Sequence, residues 1–104
     1  MREGVTVKIG GKDYIVPALT IRLMKEHKGD LKALNETTDQ FDQLDLMLKV
    51  VLSALKLNYP EMDGERLQDE MDLRALPEVF SAVMGVSDLA NSGGEPMGES
   101  TGTA

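Results

Sequence analysis

The stretch from about Asp39 to Asn58 constrains the fold more than any other part of the chain. Phe41, Leu44, Leu48, Val51, Leu52 and Leu55 recur at the spacing of one helical face. Leu46, Met47, Val50, Ala54 and Leu57 add a second apolar face, which leaves a narrow polar stripe of Asp42, Asp45, Lys49, Ser53 and Lys56. A helix that is apolar around most of its circumference has to be enclosed by other elements. A chain of 104 residues has few elements to enclose it with, so part of that surface is expected to face a partner.

Those other elements are short. Val5-Thr-Val-Lys-Ile9 alternates apolar and polar residues, Gly10-Gly11 supplies positive-φ positions, and Lys12-Asp-Tyr-Ile-Val16 resumes the extended pattern before Pro17. This predicts a β-hairpin. A lone two-stranded ribbon is marginal in water, so its apolar face must lie on the helices or on another subunit. Thr20 is placed to cap a helix from Ile21 to about Lys28, with Leu19, Ile21, Leu23 and Met24 inward and Arg22, Lys25 and Lys28 outward. Gly29 is expected to stop it and Asp30 to cap a short successor through Leu34; one kinked helix is the other reading. Tyr59-Pro60 ends the long helix. Asp63 caps a short acidic helix from Gly64 to Met71, and Asp72 leads into a last one on which Leu73, Leu76, Val79, Phe80 and Val83 share a face. Pro77 is tolerated in its first turn. The predicted fold is therefore mainly α, with four to five helices and an N-terminal hairpin over residues 1–90. Residues 91–104, rich in Gly, Ser and Thr, read as a flexible tail.

Composition narrows the chemistry. A hydrophobic fraction of 41% against 28% charged is that of a folding domain, and roughly 60–70% of the unfolded surface is buried at this size. Without cysteine there is no disulfide or thiolate metal site, which makes the cytoplasm the expected compartment. No signal-peptide pattern and no run of about 18 apolar residues point to a membrane. His27 is the only histidine and reads as a solvated helix-face residue, lacking companions for zinc. Gly10-Gly11-Lys12 lies in a hairpin turn, not in the strand-to-helix loop that cradles phosphate. Asp39, Asp42 and Asp45 complement a helix N-terminus more simply than they gather a cation. No activated nucleophile or acid–base pair stands out, so neither an enzyme nor a cofactor is expected. The methionines inside the body, Met24, Met47, Met62, Met71 and Met84, read as core filler.

Charge is divided unevenly. Residues 1–34 carry seven bases against four acids, a local +3, while residues 35–104 carry four bases against fourteen acids, a local −10. The total of −7 and the scarcity of aromatics argue against a nucleic-acid groove, although a small regulator using the basic first helix is the competing class. The split instead suggests that Arg22, Lys25 and Lys28 of one subunit meet the acidic half of the next.

The order of features resembles the tail assembly chaperones of long-tailed bacteriophages. The resemblance runs over about residues 5–90, through Val5-Thr-Val-Lys-Ile-Gly-Gly-Lys-Asp-Tyr-Ile-Val-Pro-Ala-Leu-Thr20, Leu57-Asn-Tyr-Pro-Glu61, Leu76-Pro-Glu-Val79 and Ala82-Val-Met-Gly-Val-Ser87. It implies an α-helical domain with a small hairpin that binds the tape measure protein and helps tail-tube subunits polymerise around it, in the cytoplasm of the infected host. It also implies a homo-oligomer, no catalytic residues, and in many members a frameshifted C-terminal extension for which residues 91–104 would be a suitable junction. A tape measure protein presents long apolar helices that aggregate unless covered, and helix-in-groove binding would cover them. The expected contacts are the exposed members of the second face, Leu46, Met47, Val50 and Leu57. An oligomeric adaptor of other specificity is the alternative.

Overall fold

In the computed structural model of the chain, residues 1–87 are described, and within them the architecture is mainly helical with one antiparallel hairpin. The expected tail, residues 91–104, lies outside the described residues. Strands β1 (Gly4–Ile9) and β2 (Lys12–Pro17) pair from Gly4↔Pro17 to Ile9↔Lys12. Gly10 and Gly11 have φ of 59° and 82°. Positive φ at both central residues matches the right-handed twist of the strands, as a two-residue hairpin turn requires. Gly4 is needed for a different reason: a Cβ there would run into the Val16 backbone.

Helix α1 (Ile21–Glu26) begins where expected, with the Thr20 hydroxyl accepting from the Leu23 N–H. The break falls at His27, not at Gly29, which lies inside α2 (Lys28–Glu36) without a positive φ. The His27 N–H donates to the Leu23 carbonyl, and the His27 carbonyl accepts from Leu31 N–H. The i→i−4 ladder therefore continues on both sides, and α1 and α2 are limbs of one kinked helix. Helix α3 (Gln40–Asn58) starts at Asp39, whose carboxylate accepts from the amides of Phe41 and Asp42. Helix α4 (Gly64–Glu70) is capped by Asp63 in the same way. Asp72 accepts from the Arg74 and Ala75 amides and so opens α5 (Ala75–Ser87) one residue before Leu76.

The core is built where the hairpin, α3 and α5 meet. Ile9 and Val16 from the hairpin pack with Val50, Val51, Ala54 and Leu55 of α3, Leu67 of α4, and Leu76, Val79 and Val83 of α5. Each large side chain sealed there contributes about 1.5–3 kcal/mol relative to exposure. The end of α3 also ties down the hairpin through polar groups. Tyr59 Oη accepts from Ile15 N–H at 2.9 Å, and Asn58 Nδ2 donates to the carbonyls of Ile15 and Arg2. Tyr14 meets Tyr59 edge to face, with centroids 5.1 Å apart. Just past the end of β2 the buried Leu19 N–H donates to Ser87 Oγ at 2.8 Å.

Several expected placements are corrected. Val50 is 1% exposed: it belongs to the core and presents nothing to a partner. Ile21, read as inward, is 76% exposed, and Phe41 and Leu73, placed on the apolar faces of their helices, are 77% and 68% exposed. Phe41 and Ile21 open their helices and Leu73 precedes α5, so each sits at an element end that nothing else overlaps. His27 is buried, not solvated. Among the described residues no helix is long and apolar enough to cross a membrane.

Candidate functional site

Among the described residues, most of the large apolar side chains left open, Met1 and Val5 aside, collect in two places. The larger is a groove of about 900 Å³ between the kinked α1–α2 helix and the C-terminal end of α5. Leu19, Met24 and Leu31 line one side, Met84 and Val86 the other, and Ile21 stands at its mouth. Met84 and Val86 are there because α5 turns Val79 and Val83 into the core, which leaves its last turn to overhang α1. Lys25 and Lys28 form the rim, and Arg22 lies beside them along an adjoining open hollow of about 410 Å³. No ion pair among the described residues engages these three cations.

The second surface is shallower, about 180 Å³, between the start of α3 and the start of α5. Phe41, Leu44 and Leu48 meet Leu73 and Leu76 there, and Asp45 and Asp72 border them. Leu76 lines this patch and Met84 and Val86 line the groove, so the two surfaces belong to opposite ends of α5, about 15 Å apart along its axis.

Arg22, Lys25 and Lys28 are thus brought together beside an open apolar surface, as exposed side chains. The four α3 residues expected to contact a partner are not gathered in this way. Leu46, Met47 and Leu57 are half-buried, Val50 is buried, and none of them lines either surface. Met84 and Val86 escaped the sequence reading as open surface, although Met84 falls off the Leu76–Val79–Val83 face and was available as a signal; Val86 continues that face beyond the covered turns.

One polar constellation lies outside both surfaces. His27 Nδ1 is 2.9 Å from Asp30 Oδ2, and its Nε2 is 2.7 Å from Ser53 Oγ. In the neutral imidazole, Nδ1–H donates to the carboxylate and Nε2 accepts from the hydroxyl. The order Ser–His–Asp is that of an acyl-transfer site, but such a site also needs open space at the oxygen and free amides aimed at a developing oxyanion. Ser53 sits in mid-helix, where neighbouring amides are consumed by the ladder, and neither surface includes Ser53 or His27. The arrangement satisfies a buried histidine and pins the kink of α1–α2 onto α3. Lys49 adds only a long contact to Asp30 at 3.9 Å. Arg66 hydrogen-bonds Glu70 at 2.8 Å, and that bond together with the carboxylate's charge raises the guanidinium pKa. It was already ionised, so no pH switch results.

The chain matches no protein-family model, no curated protein and no solved structure.

Proposed function

We propose that this chain is a tail assembly chaperone of a long-tailed bacteriophage, acting in the host cytoplasm without enzymatic chemistry, which binds the tape measure protein and promotes tail-tube assembly around it. The observation that carries the reading is the groove between α1–α2 and α5, joined to the order of sequence features that resembles the family. A groove with apolar walls and methionines on both sides suits the apolar face of a client helix, because thioether side chains repack around different shapes. Its basic rim favours a client segment with flanking acids. The client contact thus moves from Leu46, Met47, Val50 and Leu57 to Ile21, Met24, Met84 and Val86.

Co-expression with the tape measure protein tests this. The wild-type chain is expected to keep the client soluble and to co-purify with it. The double substitution Ile21→Glu and Val86→Glu, at positions 76% and 38% exposed, is expected to abolish co-purification while the helical circular dichroism is retained. Undiminished co-purification of that variant would reject the groove. A wild-type chain that ignores the tape measure protein would reject the reading itself.

A further inference from the structure

Phe41 and Leu73, 77% and 68% exposed, line one shallow pocket of about 180 Å³ together with Leu44, Leu48, Met71 and Leu76. Their backbone is held in place. The Asp39 carboxylate accepts from the Phe41 amide at 2.9 Å. Leu73 lies between the end of α4, where Met71 N–H donates to the Leu67 carbonyl, and the Asp72 carboxylate that accepts from the Arg74 and Ala75 amides. Two large apolar groups are thus offered to solvent from a fixed backbone, which lowers the entropy cost of binding.

The setting is acidic. Across the segments 41–48 and 68–76, five acids (Asp42, Asp45, Asp69, Glu70 and Asp72) stand against one base, Arg74. Asp45 and Asp72 line the pocket itself. Asp42, Asp45 and Asp69 are exposed and enter no ion pair among the described residues. Size narrows the ligand further: the pocket is smaller than the roughly 300–1,000 Å³ of small-molecule sites, but it can seat an anchor side chain of another polypeptide. Like charge turns away nucleic-acid phosphates and anionic lipid surfaces.

We propose that this pocket is a docking site for a basic segment of another protein, which sets a large apolar side chain between Phe41 and Leu73 and its flanking Lys or Arg side chains against Asp45 and Asp72. Opposite charge around an apolar anchor is what this surface selects. Its occupant differs in chemistry from that of the basic-rimmed groove, and the two sites lie at opposite ends of α5, so one chain can hold both at once. The contact is small and exposed ion pairs add little each, so the association is of the weak, reversible class.

Fluorescence anisotropy with labelled synthetic peptides of about 12 residues and the purified full-length chain, without any client, tests the proposal. The first peptide carries two leucines at helical spacing between lysine pairs. A second has glutamates in place of the lysines, and a third has alanines in place of the leucines. The first is expected to bind with a Kd of about 10–300 μM, and the other two at least about tenfold more weakly, since one lacks the charge and the other the anchor. Phe41→Ser and Leu73→Ser change exposed positions, so the fold is retained, as circular dichroism checks. Each is expected to weaken the first peptide at least about fivefold. Ile21→Glu, at the mouth of the groove, is expected to leave it unchanged. No binding of the first peptide, undiminished binding by the two serine variants, or equal binding of the alanine peptide, which would be attraction to net charge alone, would each overturn the proposal. So would loss of binding in Ile21→Glu, which would put the peptide in the groove. A sedimentation mass that rises with concentration and falls when peptide is added would make a second copy the occupant and overturn it as well. No tape measure protein takes part, so failure here leaves the chaperone reading to its own test.

Discussion

Helix α3 has two halves with opposite fates. From Val50 to Tyr59 it is covered by the hairpin and α5, with Val50, Val51, Ala54 and Leu55 sealed and Asn58 and Tyr59 bonded to the hairpin backbone. From Gln40 to Leu48 no residue is buried, and Phe41 stands almost free. The enclosed half is the more apolar, seven of ten residues against five of nine, but apolar content alone does not explain why Phe41, Leu44 and Leu48 stay uncovered. The reach of the neighbours does: the hairpin covers only the C-terminal half, and α5 begins too late to cover Phe41. Stability is therefore concentrated at one end of the molecule, and the open patch lies at the other.

Substitutions that move charge along α3 should break this contrast most visibly. Val50→Asp places an unpaired carboxylate in the sealed half and is expected to cost more than about 4 kcal/mol, enough to unfold the chain in urea titrations. Phe41→Asp in the open half should stay within about 0.5 kcal/mol of wild type. Next in size is His27→Ala, which strands the Ser53 hydroxyl and the Asp30 carboxylate behind the kink. A loss of about 1–3 kcal/mol is expected by chemical denaturation. Tyr59→Phe keeps the ring against Tyr14 and removes only the acceptor of Ile15 N–H. About 1 kcal/mol of destabilisation is expected, with faster amide exchange at Ile15.

The hairpin, its glycine turn, the caps at Thr20 and Asp63, the acidic start of the long helix near Asp39, and the stop at Tyr59-Pro60 were all legible in the sequence, because each follows from local backbone chemistry. The kink was misplaced for a non-local reason. His27 is held by Ser53, twenty-six residues away, and no local pattern reveals that partner. The error at Val50 has another cause. On a helix apolar around most of its circumference, periodicity shows which residues share a face but not which face the rest of the chain covers. The basic residues of the candidate site were visible as a charge cluster; the groove beside them was not, since it exists only once α5 is laid against α1.

The central claim is that client contact belongs to the groove between α1–α2 and α5, and not to the second face of α3. Hydrogen exchange of the chain with and without the tape measure protein tests it most directly. Added protection is expected over residues 21–31 and 84–87. Protection confined to the α3 segment around Leu46, Met47 and Leu57, or none anywhere, would contradict it.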